Sequence, residues 1–182
     1  MLVTVTPPAA EPVSLAEAKL HLRVDIADDD TLISGLIVAA RSYSERVLRR
    51  ALITQTLELV LDGWPNGNTI KLPMPPLQSA TVKYTDDDAV EHTLPASEYI
   101  VDTASVPGRI VLKDDYSWPT DDLQESGAIR VRYVAGYGAA GTAVPYTILL
   151  AIKMMIGHLY ENREGQGIPN AVDLLLWPDR VL

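Results

Sequence analysis

The stretch PYTILLAIKMMIGHLYENRE, from Pro145 to Glu164, decides the fold. Proline opens it, where a missing N–H donor is one that the first helical turn leaves unpaired anyway. Ile148, Leu149, Ile152, Met155, Ile156 and Leu159 then recur at three- and four-residue steps, so the spacing predicts a helix with one strongly apolar face. The opposite side is apolar too, because Leu150, Ala151, Met154 and Gly157 lie there. A helix that is apolar nearly all round must be covered on both sides. Two covers stay open at this point: a neighbouring subunit, and the chain's own β-rich section folded over it. Leu150, Met154 and Gly157 are the candidate residues of a subunit interface.

Just upstream, Gly136, Gly138 and Gly141 spell a literal G-x-G-x-x-G between a β-like run and this helix. A dinucleotide fingerprint needs its last glycine inside the first helical turn, then a second strand ending in an acid. Here Pro145 puts the helix start beyond the glycines, no strand follows, and the nearest acid, Glu161, lies at the helix end. The loop therefore reads as a connector whose small residues permit positive φ or the close approach of another backbone.

Nearer the amino end, Ser14 precedes Glu17 by three residues, the capping box that starts a helix, predicted over Leu15 to Leu22 with Leu15, Ala18 and Leu22 turned inward. A longer helix follows within residues 25–50. Its apolar stripe is read as Leu32, Leu36, Ala39, Ala40, Tyr43 and Val47, expected to face the core. Asp28, Asp29 and Asp30 sit at its positive end and Arg46, Arg49 and Arg50 at its negative end, which the helix dipole favours. That reading is preferred to a calcium loop, which would need glycine and a distal glutamate, and to a phosphate patch made with Arg41.

From Thr54 the period changes to two. TQTLELVLD places Leu57, Leu59 and Leu61 on one face, and Gly, Pro, Asn and Asp clusters then separate short strands near residues 69–72, 80–84, 90–94, 99–101, 109–112 and 128–134. VKYTDDDAVEHTL reads as a hairpin with its tip at Asp86 to Ala89. The carboxyl end carries Leu174, Leu175, Leu176 and Trp177, apolar enough to dock either in a partner's groove or on the chain's own body.

A chain of 182 residues with 47% apolar content supports one domain with a real core. Cysteine is absent, which excludes disulfides, thiolate metal sites and thiol nucleophiles. The formal charge of -9 opposes general binding to nucleic acid. No signal-peptide pattern opens the sequence, and the apolar run from Tyr146 to Tyr160 is interrupted by Lys153 and His158, short of the roughly 20 residues that span a bilayer. A soluble protein made in cytoplasm is expected. His21, His92 and His158 are scattered, neither G-x-S-x-G nor H-E-x-x-H occurs, and the aspartate pairs at 86/87, 114/115 and 121/122 fall in turn-like segments that favour Asp for its backbone hydrogen bonds. No catalytic residue, metal ligand or cofactor site is assigned.

Taken in order, SLAEAKLHLRVD (residues 14–25), DDDTLISGLIVAAR (28–41), RALITQTLELVLDGWP (50–65), IKLPMPPLQSATVKY (70–84), SEYIVD (97–102), IRVRYVAGYG (129–138) and LYENREG (159–165) resemble the head-tail connector (adaptor) proteins of long-tailed bacteriophages, prophages and gene transfer agents. The resemblance implies an α+β fold: a small helical bundle formed by helices from both ends of the chain, with an inserted antiparallel β section. As one domain over 1–182 it would comprise a helical body at 14–50 and 144–164, a β insertion at 54–134 and a tail at 166–182. It also implies a non-enzymatic subunit of a twelvefold ring in the virion neck. Such a ring sits beneath the portal protein, extends the channel through which DNA passes without specific binding, and offers a platform to stopper or tail-completion proteins. Leu174, Leu175, Leu176 and Trp177 are the candidates for docking on the portal or another partner. The alternatives are another neck or tail-completion protein, and a nucleotide-binding enzyme using the glycine loop. Two departures carry structural expectations: Arg49 stands where relatives usually place the glycine that closes the long helix, which predicts a different cap, and Ala89 replaces the usual hairpin-tip glycine, which disfavours positive φ there.

Overall fold

The computed structural model describes residues 1–162 and 167–181, and the chain divides into two compact units. One comprises Met1–Pro8 with Thr54–Gly136, the other Ala9–Ile53 with Tyr137–Leu182. The strands are β1 (Leu2–Thr6), β2 (Gln55–Leu61), β3 (Thr69–Lys71), β4 (Leu77–Thr85), β5 (Glu91–Thr93), β6 (Tyr99–Asp102), β7 (Arg109–Leu112) and β8 (Ile129–Ala135). The helices are α1 (Leu15–Leu22), α2 (Asp30–Leu48), α3 (Tyr146–Glu161) and α4 (Asn170–Leu176). The fold is α+β, with helices from both ends of the chain and an antiparallel β section between them. Expectations for residues 163–166 and 182, at the end of the helical body and the two ends of the tail, lie outside the described residues.

The β unit holds a five-stranded sheet in the order β1-β2-β8-β4-β5 and a three-stranded sheet in the order β3-β7-β6. Register follows the period-two pattern: Leu57 pairs with Tyr133, Leu59 with Val131 and Leu61 with Ile129 across β2 and β8. Val82 and Tyr84 of β4 then meet Val131 and Ile129 from the other side. Tyr133, Val131, Ile129 and Val82 are buried, so this face supplies the unit's interior. β1 has no counterpart in the sequence reading. All five of its residues are exposed, and it is held at the sheet edge by pairing Leu2 with Leu59 and Thr4 with Leu57. A strand stabilised by backbone pairing without burial leaves little periodic signal.

In the helical unit, Ser14 and Glu17 form the anticipated capping box on α1. α2 departs from expectation in its rotation. Its core face is Ile33, Ile37, Ala40, Ser44 and Leu48, whereas Leu36, Tyr43 and Val47 are half-buried at its flank and Leu32 and Ala39 are exposed. Apolar residues cover more than half of this helix's circumference, so two overlapping stripes satisfied the same spacing and only packing chose between them.

The two substituted glycine positions keep the glycine geometry. Arg49 adopts φ 54° and ψ 41° as the left-handed cap of α2 and donates its backbone N–H to the Glu45 carbonyl. Ala89 adopts φ 62° at the β4–β5 tip, where its N–H reaches the Asp86 carbonyl and the Asp86 carboxylate accepts from Val90 N–H. Turn and cap hydrogen bonds thus outweigh the roughly 1–2 kcal/mol that a left-handed residue with a Cβ costs. Arg49→Gly and Ala89→Gly are each expected to stabilise by about 1 kcal/mol, after the entropy that glycine loses on folding is subtracted. The urea midpoint checks this, and unchanged or lowered midpoints in both variants would contradict it.

Candidate functional site

The inner face of α3 is the centre of the helical core, with Ile148, Ala151, Ile152, Met155 and Ile156 all at most 4% exposed. Its outer face has two halves. Over the carboxyl-terminal half lies α1: Lys153 Nζ stands 3.3 Å from Glu17 Oε1, and a Cβ built on Gly157 would meet His21 Nε2 at 3.6 Å. Gly157 therefore faces a helix of its own chain. Towards the amino end Tyr146 is 72% exposed, while Leu150 and Met154 are both half-buried, Met154 against the core. All three interface candidates are half-buried, Met154 packing against the helical core and Gly157 lying beside α1.

The tail is split in a similar way. Val172 and Leu176 of α4 are fully buried in the helical core, and Leu175 packs against it. Tyr43 Oη donates to Asp173 Oδ1 at 3.0 Å, and Val181 N–H donates to the Leu48 carbonyl at 3.0 Å, fastening both ends of this segment to α2. Leu174 and Trp177 point outward at 73% and 64% exposure, and with Asn170 and Asp173 they line a shallow groove. The sequence held a signal for this division, since Val172, Leu175 and Leu176 follow the three- and four-residue steps of a buried face and Leu174 and Trp177 fall off it.

Three of the arginines on and just after α2 have structural partners for their side chains. Arg41 bridges Glu11 and Glu45 at 2.7 and 2.8 Å, Arg46 lies 5.8 Å over the Tyr43 ring, and Arg50 Nε donates to the Asp179 carbonyl. At the other end Asp30 pairs with Lys19 at 2.6 Å and Asp29 accepts from the Tyr160 hydroxyl.

The glycine loop is steric in purpose. A Cβ on Gly138 would stand 2.6 Å from Ala143 Cβ, and one on Gly141 would stand 2.0 Å from the Pro12 carbonyl oxygen. Gly136 adopts φ 129° and donates its N–H to the Pro76 carbonyl. Both properties expected of small residues here are present. The histidines stay apart: His21 is on α1, His158 on α3, and His92 on β5 contacts Asp86 at 2.7 Å while stacking on Tyr84. Hydrogen bonds from His92 and Val90 lower the Asp86 carboxyl, whereas burial and the Asp121 carboxylate push Tyr84 up to about 12. Among the described residues, no group of three or more His, Asp and Glu side chains could hold a metal ion, and no helix is long and apolar enough to cross a membrane.

Leu174, Trp177 and Tyr146 are apolar or aromatic side chains left exposed on the helical unit. The chain belongs to the phage gp6-like head-tail connector protein family, whose model matches residues 12–173. It is a structural connector. Solved structures agree over its full length. A chain from the "virion of native gene transfer agent (GTA) particle" matches with TM-score 0.84, 24% identity and coverage of 100% of this chain and 96% of that one. A second, from the "neck of empty GTA particle computed with C6 symmetry", gives 0.84, 25% and the same coverage. A third, from the "neck of native GTA particle computed with C12 symmetry", gives 0.82, 24% and again 100% and 96%. No curated protein matches the chain.

Proposed function

We propose that this chain is a non-enzymatic ring subunit in the neck of a phage-like particle, seated beneath the portal protein. There the ring extends the DNA channel and presents a platform to stopper or tail-completion proteins. The observation that carries this reading is the family match over residues 12–173, supported by neighbours drawn from particle necks treated with sixfold and twelvefold symmetry. Closed rings need a head-to-tail contact in which two different patches of each copy meet. The half-open start of α3 at Leu150, with Met154 behind it, serves that contact, whereas Leu174 and Trp177 serve docking on the portal. A net charge of -9 suits a conduit in which DNA slides without sticking.

Mixing the purified protein with the portal is expected to give co-sedimentation, and Leu174→Glu combined with Trp177→Glu is expected to abolish it while the circular dichroism spectrum stays unchanged, since both side chains are solvent-facing. Absence of co-sedimentation by the wild-type chain, alone and with other head-completion proteins, would overturn the proposal.

A further inference from the structure

The outward face of α2 is unusual for a surface helix. Opposite its core stripe lie Thr31, Leu32, Gly35, Val38, Ala39 and Ser42, every one exposed and none charged, until Arg46. Leu32 and Val38 are large apolar groups left 37% and 44% exposed. Gly35 has nothing within 4 Å of where a Cβ would stand. A solvated helix face ordinarily carries charged and polar side chains. Here the face is a shallow trough, floored by Gly35, Ala39 and Ser42 and walled by Leu32 and Val38.

We infer that this trough is one half of the subunit contact and that it receives Tyr146 and Leu150, from the start of α3, of the next copy. The inference rests on the ring reading above and specifies it. Three observations lead to a second copy as the occupant. First, α2 and α3 pack on each other through their core faces, so the outer face of α2 and the outer face of α3 are two different patches of one copy. Stacking one on the other from copy to copy propagates in a single sense, the arrangement that a cyclic assembly requires. Second, each copy carries a charge of -9, which favours a contact that does not set the carboxylates of one copy against those of the next. The α2 trough carries no charged residue before Arg46, and Tyr146, Thr147 and Leu150 at the open end of α3 are themselves uncharged, with the Asp179 carboxylate at their edge, 3.5 Å from Thr147 Oγ1. Third, sizes are complementary: a floor of glycine, alanine and serine leaves room that a tyrosine and a leucine fill, and helices approach closely where small residues meet large ones.

The test uses the chain's lack of cysteine. The full-length protein carrying both Ala39→Cys and Leu150→Cys, assembled on portal and treated with a short bifunctional maleimide, is expected to give a ladder of covalent oligomers. An equimolar mixture of the two single variants should stop at dimers, because each chain then has one reactive position. In parallel, Gly35→Glu, which raises helix propensity and should fold at least as well as wild type, is expected to reduce ring assembly about tenfold or more, since the carboxylate would be buried unpaired. Leu20→Glu, on the 81% exposed position of α1, should assemble normally. Rings that form on portal yet yield no ladder and tolerate Gly35→Glu would overturn this contact while leaving the ring reading intact. If the wild-type chain forms no ring on portal at all, the ring reading fails, and this contact with it.

Discussion

Gly141→Ala should lower the stability of the protein by about 3 kcal/mol, the upper part of the range for forced overpacking. The added Cβ would stand 2.0 Å from the carbonyl oxygen of Pro12, 2.8 Å from its carbonyl carbon and 3.2 Å from its Cα. All three are backbone atoms, so no rotamer change relieves the clash and two chain segments must separate. One of them leads into Val13, which is fully buried, and the other into Val144 at 4% exposure, so separation loosens the core at the same time. Gly35→Ala is the matched control. It adds the same methyl group to an exposed helical position with no neighbour within 4 Å, where alanine is favoured over glycine by about 1 kcal/mol. Urea titrations of the two variants should therefore move in opposite directions from wild type. A Gly141→Ala midpoint within error of wild type would refute the steric reading and reopen the question of what the glycine motif is for.

That motif illustrates what could be read from the chain directly. Its departure from the nucleotide fingerprint is legible in Pro145, which starts the helix beyond the glycines, and the need for small residues is legible in its connector position. Which backbone approaches Gly141 could not be read, because Pro12 lies far away in sequence. The strands of the β section were legible from alternation and turn residues, since their register obeys the period-two pattern that buries one face. β1 was not, as edge pairing without burial is invisible to a hydrophobic pattern. The rotation of α2 was misread for the opposite reason, an excess of apolar residues. Had Leu32 and Ala39 been charged, the core stripe would have been unambiguous. Arg49 and Ala89 misled because residue type gives only a preference for φ, and local hydrogen bonds overrode it. For the proposed contact residues, residue type gave two short lists without their surroundings: Leu176 is buried in its own core and Gly157 lies beside α1, Leu150 is half-buried, and Leu174 and Trp177 are exposed.

Glu45→Ala is expected to cost about 3–4 kcal/mol, in keeping with the loss of one member of a buried ion pair. The Glu45 carboxylate, in a residue 7% exposed, accepts from Arg41 Nη1 at 2.8 Å and from the backbone N–H of Leu52 at 3.0 Å. Leu52 is fully buried, so removing the carboxylate leaves that donor without this acceptor and Arg41 with Glu11 as its remaining carboxylate partner. The same residue offers its carbonyl to the N–H groups of Arg49 and Arg50. Glu45 thus locks the left-handed end of α2 to the segment that leaves the helical unit, through side chain and main chain together. Glu45→Gln keeps an oxygen for Leu52 and loses only the charge, and should cost about half as much. Arg41→Met removes the other partner and leaves the carboxylate buried against the Leu52 donor. Two charges gone together leave neither stranded, so the double variant Glu45→Gln with Arg41→Met should be less destabilised than the sum of the singles, by a coupling of about 1–3 kcal/mol. Because α2 presents the proposed trough, loosening its end should also weaken ring assembly in step with the stability losses, Glu45→Ala more than Glu45→Gln. Additive single and double variants would show that Arg41 and Glu45 act independently, and would remove the pair as the device that fixes α2.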